Sequence, residues 1–99
     1  MFRKGDRFEA MSDVRATCLV IYAAPFTDGF ETKIPQGTIV VVSHDLVDGA
    51  TAIACQPEQY RRFEKLFVPW WTRAQFWSYR GYQLMIDVAE LGVSLRWLD

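Results

Sequence analysis

The strongest structural signal in this chain of 99 residues is the run Thr-Ile-Val-Val-Val-Ser at residues 38–43. β-branched side chains favour extended backbone, and an uninterrupted apolar run is typical of a strand covered on both faces. The run therefore predicts a strand near the middle of a sheet. Pro35-Gln36-Gly37 before it predicts a turn with proline at its second position, and Asp48-Gly49 after it predicts a tight hairpin.

Further strands are predicted on both sides of this run. They are Phe8–Met11, Cys18–Tyr22, Ala50–Cys55, Gly81–Asp87 and Val93–Leu98. Asp28-Gly29 lies between two phenylalanines and predicts a hairpin tip, because such a dipeptide readily supplies positive φ. Val88–Gly92 predicts a single helical turn closed by glycine. The chain thus reads as one mostly β domain that spans residues 1–99.

A helical, aromatic-rich insert is predicted at about residues 57–79, before the last two strands. Pro57 favours a helix start, because proline is well tolerated in a first turn. Tyr60, Phe63 and Phe67 follow at i, i+3 and i+7, which places them on one face of a helix. Pro69 predicts the end of that helix.

A second helical start is predicted within the insert. Thr72 and Gln75 have the spacing of a capping box, with Thr72 as the N-cap. Trp71 and Phe76 occupy the two positions of a hydrophobic staple around it. Together these pairs predict a short helical turn that begins at Thr72.

The order of these elements resembles an SH3-like small barrel of five to six strands. The matching pieces are Lys4–Phe8 entering the first strand, Ile34–Thr38 before the central strand, and Val88–Leu98 at the end. The chain also resembles small bacterial proteins of the mobile integron-cassette type. SH3-like barrels bind proline-rich peptides, nucleic acids or copies of themselves, so the resemblance implies a binding module without selecting its partner. The acidic loop and the Ala-Leu-Tyr start of peptide-binding SH3 domains are not present in the expected form, which argues against proline-peptide recognition.

The insert has a distinctive composition. Between Tyr60 and Tyr82 it holds nine aromatic residues, five cations and one acid, a local charge of +4 that leaves −5 for the rest of a chain of net charge −1. A small core does not accommodate every one of these rings, and Trp, Tyr and Arg are the residues that dominate the centres of protein interfaces. The candidate ligand or interface residues are Trp70, Trp71, Arg73, Phe76, Trp77, Tyr79, Arg80 and Tyr82.

Three interpretations of this segment compete. In the first, the helix covers an open end of the sheet and the tryptophans complete that lid. In the second, which we favour for the surplus rings, the insert joins two copies of the chain, with a twofold dimer as the default geometry. In the third, the rings stack on a small molecule, a peptide or single-stranded nucleic acid while Arg73 and Arg80 hold an anionic group. The net charge of −1 argues against nucleic acid.

Signals for catalysis, metal binding or a cofactor are weak, so no catalytic residue, metal ligand or cofactor is predicted. His44 is the only histidine, and the adjacent Asp45 points to the opposite face of a strand and does not orient the imidazole. Cys18 and Cys55 belong to no CxxC pair and are predicted to be small buried hydrophobes. An enzyme with a site built across subunits is the remaining, less favoured alternative. Without an apolar leader or membrane span, the expected location is the cytoplasm.

Overall fold

The computed structural model describes residues 2–23, 27–74 and 78–98. They form a single antiparallel sheet of seven strands with two helices, which confirms the mostly β prediction. The elements are β1 Arg7–Ala10, β2 Val14–Tyr22, β3 Thr27–Ile34, β4 Ile39–Val42, β5 Ala52–Pro57, α1 Tyr60–Phe67, α2 Trp70–Arg73, β6 Tyr79–Asp87, a 3₁₀ turn at Val88–Glu90 and β7 Leu95–Leu98. The strand order across the sheet is β3-β2-β6-β5-β4-β1-β7.

The core lies on one face of this sheet. A single row of paired residues shows the arrangement, since Phe30, Cys18, Leu84, Cys55 and Val42 follow one another across five neighbouring strands. The last four are buried, and Phe30 packs against them. Alternate residues along each strand share a face, so this row and its neighbours form the hydrophobic layer that α1 partly covers.

The run at residues 38–43 does form an interior strand, β4, paired with β1 and β5. Its burial alternates, however: Val40 and Val42 are buried, whereas Ile39 and Val41 are only half-buried. Coverage on both faces was therefore wrong in detail, because only alternate residues of the strand are fully buried. The predicted turn before β4 is confirmed, with Gly37 at φ +89° and a hydrogen bond from Thr38 N–H to Pro35 C=O.

The prediction for Asp28-Gly29 is wrong. Both residues lie inside β3, where Asp28 pairs with Val20 and Gly29 with Leu19. Gly29 does not have the positive φ that a hairpin tip requires, and it lies close against the side chains of Leu19 and Thr17. β3 is thus a seventh strand beyond the five or six predicted.

Two helix starts also differ from prediction. Pro57 does not open α1 but ends β5 opposite Val40, and the helix begins three residues later, at Tyr60. Thr72 is not an N-cap: it lies buried within α2, whose N-cap is Pro69. In each case strand pairing or packing determined the position, and the local cap pattern did not. Gln75 and Phe76 of the predicted box and staple lie outside the described residues.

The sheet is not closed, and its end strands are β3 and β7. The SH3-like resemblance accordingly stays a prediction. Neither of the two described helices has the length and apolar character needed to span a bilayer.

Candidate interaction surface

Helix α1 is held onto the sheet by an aromatic and hydrogen-bonded junction with β6. The rings of Tyr60 and Tyr82 stack with centroids 4.4 Å apart and planes inclined by 15°. The Tyr82 hydroxyl donates to the Tyr60 carbonyl at 2.7 Å, and the Tyr82 backbone N–H donates to the Tyr60 hydroxyl at 2.8 Å. Two reciprocal hydrogen bonds and a ring stack therefore fix where the insert begins.

A third tyrosine strengthens this junction. The Tyr79 hydroxyl donates to the Glu64 carboxylate at 2.6 Å, which ties the middle of α1 to the start of β6. Burial raises the pKa of Tyr79, and its hydrogen bond to Glu64 raises that pKa further. Burial likewise raises the pKa values of Tyr82 and Tyr60. All three phenols stay protonated at neutral pH, so Tyr79 and Tyr82 keep the protons that these hydrogen bonds need.

Some of the insert's rings are used in the core, and others are not. Tyr82 and Phe67 are buried, while Tyr60, Phe63 and Tyr79 pack partly against the core. In contrast, Trp70 is 73% exposed, Trp71 is 46% exposed and Leu66 is 57% exposed. We call Lys65, Leu66, Trp70, Trp71 and Arg73 the α1–α2 surface. Its large apolar side chains are therefore left exposed by the core.

The α1–α2 surface is continuous with β3. The rings of Trp71 and Phe30 meet in a T-shaped contact, with a centroid distance of 5.9 Å and an angle of 77° between their planes. Beside this contact lies an open groove of about 450 Å³ between β3 and the helices. Phe30, Leu66 and Trp70 give it apolar walls, and Lys65, Arg73 and Glu31 also line it. The groove is accessible from solvent and combines stacking surface with charge.

Within this groove, Arg73 is held by the end of α1. Its Nε donates to the Val68 carbonyl at 3.4 Å. Among the residues that the structure describes, no carboxylate forms an ion pair with Arg73 or Lys65. Both cations are thus available to an anionic group from outside the subunit.

The predicted candidate residues separate into five groups. Trp70, Trp71 and Arg73 lie together on the α1–α2 surface, whereas Tyr79 is part of the tyrosine junction. Tyr82 is fully buried and belongs to the core, so it does not face a partner. Arg80 is exposed and donates to the Tyr79 carbonyl at 3.2 Å. The two other candidates, Phe76 and Trp77, lie outside the described residues.

Sequence reasoning missed Phe30, Lys65 and Leu66. Leu66 carried a signal, since it lies off the Tyr60, Phe63 and Phe67 face and is therefore an apolar residue on the solvated side of α1. Phe30 carried none, because the approach of β3 to α2 depends on the sheet order. Lys65 resembles any other solvated helix cation.

The remaining chemistry-bearing residues form no site among those described. His44 is exposed, with its Nδ1 3.2 Å from the Ser43 hydroxyl. Asp45 instead accepts a hydrogen bond from the Lys4 backbone N–H at 2.7 Å, and no bond joins it to His44. No group of three His, Cys, Asp or Glu side chains in the described part of the chain is arranged to hold a metal ion.

The two cysteines are buried free thiols, as the sequence predicted. Both pair with Leu84 from opposite sides, so one whole strand separates them and they lie too far apart for a disulfide. Burial raises the pKa of Cys18 to about 11 and that of Cys55 to about 12. These thiols stay protonated at neutral pH, which makes them poor nucleophiles.

We expect the free energy of unfolding to fall as pH rises from about 9 towards 11. Unfolded thiols ionise near 9.0, whereas the folded Cys18 thiol keeps its proton to about 11. In that range the unfolded chain binds fewer protons than the folded one, so alkali favours unfolding. Urea titrations at several pH values measure the effect, and Cys18→Ala is expected to reduce the slope. A free energy of unfolding that is constant from pH 8 to 11 would contradict the burial of these groups.

Comparisons of the chain with protein-family models, with curated proteins and with solved structures found no match.

Proposed function

We propose that this protein is a non-catalytic interaction module that associates with a second copy of itself through the α1–α2 surface. The observation that carries the proposal is the exposure of Trp70, Trp71 and Leu66 on a segment whose other described rings anchor it to the core. Exposed indoles beside cations that form no ion pair within the described residues have the composition of an interface centre.

The available area supports this proposal. A stable interface buries about 800 Å² on each partner, and a single aromatic side chain contributes roughly 150–250 Å² when fully buried. The exposed parts of Trp70, Trp71 and Leu66, with the stems of Lys65 and Arg73 around them, supply a large share of that area. The neighbouring face of β3 adds to it, because Phe30 contacts Trp71 directly.

A second candidate function is the binding, in the groove, of an acidic peptide or of a small molecule with an apolar body and an anionic group. It is favoured by the pairing of apolar walls with Lys65 and Arg73, neither of which forms an ion pair within the described residues. Single-stranded nucleic acid is a weaker form of this candidate, because Glu31 lines the same groove and the net charge is −1.

Trp70→Ala is expected to weaken self-association about 30-fold or more, which is the effect of removing an interface hot spot of roughly 2 kcal/mol. The exposed indole contributes little to the folded monomer, so the thermal midpoint of the dilute protein should change little. Sedimentation velocity over a concentration series measures the association.

The matched control is Val93→Ala, which truncates an apolar side chain that is 79% exposed outside the α1–α2 surface. It should leave the association unchanged. Equal weakening of association by both substitutions, or no weakening by Trp70→Ala, would show that the α1–α2 surface does not join the two copies. If instead the chain is monomeric and an acidic peptide or an aromatic carboxylate quenches its tryptophan fluorescence, the groove candidate takes precedence.

A further inference from the structure

β3 is a long edge strand. It has eight residues, Thr27–Ile34, and pairs with β2 along one side only. No strand in the described part of the chain pairs with its other side. An edge of this length presents unpaired backbone N–H and C=O groups and is a template for another strand.

The sequence of this edge is complementary to itself. Thr32 is flanked by Glu31 and Lys33, which share the outer face of the sheet and are both exposed. When two antiparallel copies of β3 are centred on Thr32, Glu31 of each copy lies opposite Lys33 of the other. Two attractive charge pairs result from one twofold axis.

Other antiparallel registers lack this match. Residues directly opposite each other in two antiparallel strands lie on the same face of the sheet. The twofold axis between two copies of β3 must therefore pass through a residue position, and each alternative register moves the axis by one residue. Moving the axis to Glu31 places that carboxylate opposite its own copy, and moving it to Lys33 does the same for the ammonium group. Like charges directly opposite each other are destabilising. The charges therefore select the register centred on Thr32.

Contacts within one subunit leave these charges uncompensated. Lys33 lies directly opposite Arg15 in β2, a pair of like charges. Among the described residues, Glu31, Lys33 and Arg15 form no ion pair. A carboxylate arriving on the free side of Lys33 would offset that repulsion, and Glu31 of a second copy arrives there in this register.

We propose that two copies of the chain associate edge to edge through β3, in the antiparallel register centred on Thr32, to form one continuous sheet of fourteen strands. This inference rests on the proposed self-association and specifies its geometry. It is continuous with the α1–α2 surface, because Phe30, Glu31 and Thr32 line the groove that Trp70 also lines. The two α1–α2 surfaces then lie on the same side of the joined sheet, one on each side of the twofold axis.

The test uses charge reversal with complementation. Glu31→Lys alone and Lys33→Glu alone each turn both attractive pairs into repulsive ones and should weaken association about tenfold or more. An equimolar mixture of the two variants restores opposite charges in both pairs, and should form a heterodimer. The double variant carrying both changes should associate like the unmodified chain. Sedimentation velocity measures all four samples, with native mass spectrometry to identify the heterodimer.

Lys4→Glu is the control for Lys33→Glu. It makes the same charge change at an exposed position near the N-terminus, away from β3. It should not affect association. One result would support self-association but overturn the β3 register: Trp70→Ala dissociates the dimer, whereas the single variants, the mixture and the double variant all associate as tightly as the unmodified chain. A chain that is monomeric throughout overturns both. Loss in each single variant without recovery in the mixture also contradicts the register.

Discussion

Replacing Tyr82 with alanine is expected to lower the free energy of unfolding by about 3–5 kcal/mol, the usual cost of removing a large buried ring. Tyr82 is fully buried, stacks on Tyr60 and lies 6.1 Å from the Phe67 ring. Its loss removes the platform on which α1 rests and the hydrogen bond from its hydroxyl to the Tyr60 carbonyl. Urea unfolding monitored by circular dichroism measures the change.

Tyr82→Phe separates packing from hydrogen bonding. It keeps the ring but removes the donor, so the expected loss is about 1–2 kcal/mol. Because this variant is milder, it remains measurable if Tyr82→Ala does not fold. An alanine variant that loses less than about 1 kcal/mol would show that the junction does not hold α1.

Gly81→Ala is expected to cost about 2–4 kcal/mol, from backbone strain and a steric clash together. Gly81 is buried and has φ +153°, and an added Cβ would lie 2.6 Å from the Tyr60 hydroxyl oxygen. That oxygen is not free to move away. Its ring is stacked on Tyr82, and the oxygen accepts a hydrogen bond from the Tyr82 backbone N–H.

A double-mutant cycle with Tyr60→Phe tests the cause. Once the hydroxyl is gone, the next nearest atom is the ring carbon Cζ at 3.8 Å, an ordinary contact, so Gly81→Ala should cost less in that background. Gly92→Ala is a control for strain alone, because Gly92 has φ +82° with no atom within 4 Å of its added Cβ. Equal costs of Gly81→Ala in the two backgrounds would refute the clash.

The local patterns in the sequence identified most of the sheet and α1. β-branched runs marked β4 and β2, and the spacing of Tyr60, Phe63 and Phe67 gave the face of α1 that packs on the core. They failed where pairing overrides local preference. Asp28-Gly29 has turn chemistry, yet pairing with β2 along the whole of β3 holds it in a strand.

The candidate surface was only partly predictable. Composition indicated a surplus of rings, and Trp70 and Trp71 are indeed exposed. Composition did not show which rings are buried in the core. Tyr82 was included among the candidates, although it alternates with Leu84 and Ile86 along β6 and therefore shares their buried face. The groove depends on β3 lying beside α2, which only the sheet order reveals.

The most direct test of self-association is sedimentation of the unmodified chain from about 1 to 100 µM, a range that brackets the affinity of weak and moderate dimers. Self-association predicts that the mass per particle rises from that of one chain, 11.5 kDa, towards twice that value as concentration increases. A particle mass that stays at 11.5 kDa across the series would contradict it.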